Sequence, residues 1–199
     1  FGKDDYRVTN ARLAVADVEL RQKLDPQERQ LVAKAERLNQ QGFSISRSKP
    51  KEALPLWQEA LEIRQKVLGE NHPDYATSLD YLGVLYDSLG QPARAEPLLV
   101  RALEIRKKVL GESHPDYATS LRDLALLYSH LGQFVRAEPL FLQVLEIRKK
   151  VLGETHPYFA SSLNDLAVLY SLLGQPARSE PLYLRTKEIY KRVLGENHP

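Results

Sequence analysis

The segment LGENHPDYATSL at residues 68–79 returns as LGESHPDYATSL at 110–121 and as LGETHPYFASSL at 152–163, and LGENHP at 194–199 opens a further copy. Gly69, Gly111, Gly153 and Gly195 thus stand 42 residues apart each time. A fixed period of this length implies supersecondary units stacked side by side, each burying its apolar face against a neighbour instead of inside one closed core.

Within a unit the apolar spacing is that of helices. The first half, DYATSLDYLGVLYDSLG, places Leu79, Leu82, Leu85 and Leu89 at steps of three and four. The second, PARAEPLLVRALEIRKKVLG, does the same with Ala95, Leu98, Leu99, Ala102, Leu103 and Ile105. Each unit therefore reads as an αα-hairpin, with Gly90, Gly132 or Gly174 supplying the left-handed conformation that ends the first helix. The fold class expected is all-α, a right-handed superhelix of stacked antiparallel helix pairs.

The joint itself contains His72, Asp74 and Ser78, residue types of a hydrolytic site. A structural reading accounts for it more fully. Gly closes one long helix, and the Pro of His-Pro starts the next where its missing N–H costs nothing. Asp74 and Asp116 then suit the positive end of a helix dipole. A zinc site built from His72, His114, His156 and His198 is excluded by spacing: successive repeats are too far apart for their side chains to reach one ion. No catalytic residue, metal or cofactor is expected.

The positions Leu79, Leu82, Gly83, Tyr86, Ala95 and Leu99 form the pattern L-x2-L-G/A-x2-Y followed by A-x3-large. Leu121, Leu124, Ala125, Tyr128, Ala137 and Phe141 repeat it, as do Leu163, Leu166, Ala167, Tyr170, Ser179 and Tyr183. This pattern resembles the tetratricopeptide repeat, whose usual unit is about 34 residues. The longer unit here extends the second helix through EIRKKVLGExHP and is similar to the kinesin-light-chain type. That type also occurs in bacterial proteins joining such arrays to a caspase-like CHAT protease domain, and the opening GKDDYRVTNARLAV resembles their leader.

The expected organisation is a capping helix at 1–25, an atypical first repeat at 26–68, repeats at 69–110, 111–152 and 153–194, and the start of another at 195–199. In the cap, Val8, Leu13, Val15, Leu20 and Leu24 are the expected buried residues. In the first repeat Trp57 takes the large-residue place and Ser48 replaces the inter-helix Gly. Pro55, Pro97, Pro139 and Pro181 fall in the second turn of their helices and are expected to bend them or delay their start. Beginning without Met and ending as a unit opens, the sequence is expected to be a piece of a longer polypeptide.

Charge excludes several partner classes. With 28 basic and 26 acidic residues there is no net field for nucleic acid or membrane. The basic runs Arg106-Lys107-Lys108, Arg148-Lys149-Lys150 and Lys191-Arg192 would stack into a ridge, but they also suit helix C-termini and i,i+4 pairing from Glu104, Glu146 and Glu188. No apolar run reaches the roughly 18 residues of a membrane span. The absence of Cys removes disulfides and thiolate chemistry and fits a reducing, cytoplasmic setting.

Function is expected where the units differ, on the first helices that line the groove. The varying positions are Asp80, Tyr81, Val84, Asp87 and Ser88; then Arg122, Asp123, Leu126, Ser129 and His130; then Asn164, Asp165, Val168, Ser171 and Leu172. By resemblance such arrays hold peptides, and kinesin-light-chain types use paired asparagines, of which only Asn164 has a counterpart. Arg122 is the single cation among these positions, so an acidic groove taking a Lys- or Arg-bearing protein segment is expected. Two other roles are considered: the recognition arm of a protease, and self-association of the array.

Overall fold

The computed structural model describes residues 6–194, which are helical outside short turns, and its two compact units divide between Gly111 and Glu112. The expected further repeat from Gly195, with His198, lies outside the described residues. The first unit contains α1 (Tyr6–Lys23), α2 (Pro26–Ile45), α3 (Pro50–Leu68), α4 (Pro73–Ser88) and α5 (Pro92–Leu110). The second contains α6 (Pro115–His130), α7 (Phe134–Leu152), α8 (Pro157–Leu172) and α9 (Pro176–Leu194). In each unit the helices from α2 onward pack as consecutive antiparallel pairs. The chain is all-α, as its periodicity requires.

Turn chemistry explains the pairing. After α4, Gly90 takes φ 69° and donates to the Asp87 carbonyl at 2.9 Å, while the next N–H, of Gln91, reaches back to Tyr86 at 2.8 Å. These are the two bonds of a Schellman cap, and the positive φ is why Gly stands there. The turns at Gly132 and Gly174 have the same bonds. At the joints Gly69, Gly111 and Gly153 adopt φ 85° and close the long second helices.

The repeat signature is the core. Leu79, Leu82, Tyr86, Ala95 and Leu99 are buried, as are their counterparts Leu121 to Phe141 in α6 and α7. Alanines such as Ala76 and Ala102 have no exposed surface, which lets paired helices approach closely. Tyr183, by contrast, is 37% exposed in α9. Each motif tyrosine is clamped by an arginine eight residues on. Arg94 lies 4.0 Å over the Tyr86 ring and Arg136 lies 3.7 Å over Tyr128, and each donates to the hydroxyl below it. Arg178 treats Tyr170 in the same way.

Three expectations change. In the first repeat Ser48 stands two residues before α3, as Gly90 stands before α5, yet the turn around it is built differently. Gly42 packs under Trp57 as Gly83 packs under Leu99, and these glycines are 41 residues apart although Trp57 and Leu99 are 42 apart. The α2–α3 turn is therefore one residue shorter, and no left-handed position exists in it. The prolines do not delay their helices, which begin five residues earlier at Pro50, Pro92, Phe134 and Pro176. In α1, Val8 and Val15 are 45% and 61% exposed and Leu13 and Leu20 are half-buried, and of the expected residues only Leu24, just after the helix, is buried. This helix is held chiefly through polar contacts: Arg21 pairs with Glu36 at 2.9 Å and Asp74 at 3.4 Å, and Asp17 meets the His72 ring at 3.2 Å.

A methyl group at Gly42 would collide with the Trp57 indole. Gly42→Ala is expected to cost about 1–3 kcal/mol in urea unfolding and to shift Trp57 emission. Gly90→Ala, with open space around it but positive φ, should cost about 1 kcal/mol and leave the emission unchanged. Equal emission in both variants would contradict the packing described.

Candidate functional site

The last turns of the second helices hide charge that the sequence places on the surface. Arg64, Arg106 and Arg148 are each only 6% exposed. Arg64 donates from Nη1 to the Asp74 carbonyl at 2.9 Å and to the Ser78 hydroxyl at 2.8 Å. Arg148 repeats this on the Tyr158 carbonyl at 3.1 Å and Ser162 at 2.9 Å. Arg106 forms an ion pair with Asp80 and donates to Thr77 at 3.2 Å. The expected basic ridge thus loses two of its arginines, because their helix face looks inward. The i,i+4 pairing holds for Glu188 with Arg192 at 2.6 Å, whereas Lys108 turns to Asn71.

The joint histidines are N-caps. Nδ1 of His72, His114 and His156 accepts the backbone N–H two residues on, at 3.1, 3.0 and 3.1 Å. An extended backbone at the His and Pro at the first helical position complete the cap. Ser78, fully buried, bonds Arg64, so the His-Asp-Ser set of the joint is divided between a cap and a core bond. Among the described residues, no cluster of His, Asp and Glu could hold a metal ion.

The expected groove residues separate by depth. Val84, Ser88, His130, Val168, Ser171 and Leu172 are exposed. Tyr81, Asp87, Arg122, Asp123, Leu126, Ser129 and Asn164 are half-buried. Asp80 and Asp165 are buried, which corrects the acidic groove. Asp80 neutralises Arg106, and Asp165 takes Arg122 in a two-pronged pair at 2.5 and 3.2 Å. Burial opposes the Arg122 charge, yet the bonded Asp165 and nearby Asp123 hold its pKa above the ordinary arginine value. The apolar side chains among those that reach solvent are Val84 in the first unit, and Val168 with Leu172 one turn apart in the second.

Sequence reasoning missed a recess in the first unit because α2 matches the repeat pattern poorly. About 440 Å³ opens between α2 and α4, lined by Glu36, Asn39, Gln40, Phe43, Thr77 and Tyr81, with Arg64 also contributing. Phe43 is 65% exposed, its ring 6.3 Å from Tyr81, which stacks on Trp57 at 5.1 Å. The signal that could have found it is Gly42, whose match to Gly83 puts Phe43 in register with Val84. A second recess of about 450 Å³ lies between α3 and α5, where the Tyr86 hydroxyl already accepts from Gln58 and Arg94.

With this geometry in place, comparison with known proteins is informative. The profile of the tetratricopeptide repeat family matches residues 38–108, 89–150 and 125–192. No match is found among curated proteins. Among solved structures, BtubC (BKLC) from P. vanneervenii superposes with a TM-score of 0.73 at 22% identity, over 97% of this chain and 78% of that one. The nearly identical TPR-like repeats of a Podosopora anserina protein, described as a kinesin light chain, match at 30% identity with a TM-score of 0.65, over 86% of this chain and 78% of theirs. A single-residue variant of those repeats gives 0.66. Among the described residues no helix is long and apolar enough to cross a membrane.

The Asp80–Arg106 pair is closed to solvent, so its loss is structural. Asp80→Ala is expected to lower unfolding free energy by about 3 kcal/mol, since it leaves a buried guanidinium without its carboxylate. Val84→Ala, on the exposed face beside it, should change stability by less than about 0.5 kcal/mol. Urea titration followed by circular dichroism measures both, and equal effects would place Asp80 on the surface.

Proposed function

The chain belongs to the tetratricopeptide repeat family, and from that membership we propose that it binds a peptide or protein segment along the exposed face of its first helices. The repeats make it a protein-interaction scaffold. The observation that carries the finer reading is the apolar surface at matching first-helix places: Phe43 and Val84 in one unit, Val168 in the other. The neighbouring motif positions are buried to hold helix pairs together, so these side chains are free to meet a ligand. Apolar anchors from a partner would supply the affinity, and the half-buried polar groups around them would fix its register.

Attraction of a basic segment through Asp80 and Asp165 is not part of this reading, because both carboxylates are engaged by arginine. The face of α2 and α4 is mixed in charge and aromatic, which favours a ligand with apolar side chains at intervals.

Peptides selected from a random displayed library against the whole chain test the proposal. They are expected to lose about tenfold or more in affinity with Phe43→Ser and Val84→Ser combined, or with Val168→Ser and Leu172→Ser combined, the scale of one buried apolar anchor. Selected peptides that bind both double variants as tightly as the parent would overturn it.

A further inference from the structure

Helix α1 carries its valines on the side away from the chain it caps. The side turned to the protein holds Asp17 and Arg21 beside the half-buried Leu13 and Leu20, and polar contacts tie it down: Arg21 meets Glu36 at 2.9 Å and Asp17 meets the His72 ring at 3.2 Å. The opposite side presents Val8, Val15 and Val18, which are 45%, 61% and 53% exposed, with Ala11 exposed among them. A surface helix ordinarily turns its apolar stripe to the core and its charges to water. Valine is also a poor helix former, because its branched Cβ loses rotamer freedom against the preceding turn. Three valines on a solvated helix face therefore gain nothing from the fold of a single chain.

Steps of three, four and three separate Val8, Ala11, Val15 and Val18. This is the a and d spacing of a heptad, which forms one seam along a helix and interdigitates with a second helix of the same spacing. The flanking charges select that second helix. Arg12 and Glu19, both exposed, follow Ala11 and Val18 directly and so stand on one edge of the seam. A second α1 turned end for end sets its Val18 opposite Val8 and its Val15 opposite Ala11. Helical side chains lean toward the N-terminus, so the same arrangement brings Arg12 to the partner's Glu19, and the two-fold axis makes that pair twice. A parallel pairing would instead set Arg7 against Arg12, like charge against like. The other edge offers Ala14 and Arg21, whose charge is met by Asp17 and Glu36 of its own chain.

We propose that α1 is a self-association surface, through which two copies of this chain pair by antiparallel α1 helices, with Val8, Val15 and Val18 in the seam and Arg12 facing the partner's Glu19 across its edge. The helix is already held against its own chain through Asp17 and Arg21, so pairing orders no new backbone. The seam spans only about 15 Å, ten residues of helix, and is shorter than a standard interface. The dimer is accordingly weak, with a dissociation constant on the order of 100 µM. The seam shares no side chain with the peptide-binding positions Phe43, Val84, Val168 and Leu172, so either reading stands or falls without the other.

Sedimentation of the whole chain from micromolar to millimolar concentration tests this, and the average mass is expected to rise toward that of a dimer across the range. Val15→Asp is expected to hold the chain monomeric, since it puts a charge into the seam at a position that its own chain leaves exposed. Arg12→Glu sets glutamate against glutamate and is expected to weaken association about tenfold or more. Adding Glu19→Arg to it is expected to restore the parent affinity to within about threefold, because the exchanged charges again face their opposites. The double exchange keeps the net charge, and circular dichroism checks that each variant keeps its helix content, so recovery reports on pairing between copies and not on folding. A chain that stays monomeric up to millimolar concentration, or an association that ignores Val15→Asp, overturns the proposal. So does a failure of Glu19→Arg to rescue Arg12→Glu.

Discussion

Within each unit, one helix pair is joined to the next by a guanidinium buried at the end of a second helix. Arg64 reaches from α3 to the Ser78 hydroxyl of α4, and Arg148 from α7 to the Ser162 hydroxyl of α8. Neither helix pair could cover its own apolar face, and the apolar clusters formed at these junctions draw residues from successive pairs. An arginine placed in such a junction must be fully bonded or it would cost more than the packing around it gains. That requirement fixes the neighbouring serines and backbone carbonyls, and it decides which first-helix residues may vary.

The groove chemistry follows from this. Where the first-helix neighbour is Asp80 the arginine meets a carboxylate, and where it is Asn39 it meets an amide oxygen. In the second unit the position in register with Asp80 is occupied by Arg122, which recruits Asp165 from the adjacent first helix. A row of residues that varies between repeats is thus partly a record of how each repeat settles its own buried charge. Only the remainder, Phe43, Val84, Val168 and Leu172 above all, is exposed to solvent.

The caps show the same economy. A histidine before Pro offers Nδ1 to the second helical N–H, and the proline removes the donor that would otherwise need a partner. The recurrence of His-Pro at the joints is a helix start, and the short-range resemblance to a catalytic set comes from residue types that cap helices well. The Tyr–Arg clamp across each of the three glycine turns likewise converts a constant spacing of eight residues into a stacked, hydrogen-bonded corner.

Helix identity, pairing and the glycine turns were legible in the sequence, because the steps of three and four and the left-handed glycines are local properties of consecutive residues. The joint was also legible, although the cap formed by the histidine ring was not named by spacing alone. The depth of Asp80, Asp165, Arg106 and Arg148 was not legible: a charge in a helical run points inward or outward according to the helix packed against it, which for Asp80 and Arg106 is the paired helix and for Asp165 and Arg148 lies in a neighbouring repeat. The same holds for the recess at Phe43, since the shortened α2–α3 turn shifts α2 by one residue and hides its register. The sequence alone determined a stack of helix pairs. Only the tertiary structure decided which charges are spent on holding the stack together, because ion pairing depends on distances between side chains that no period along the chain encodes.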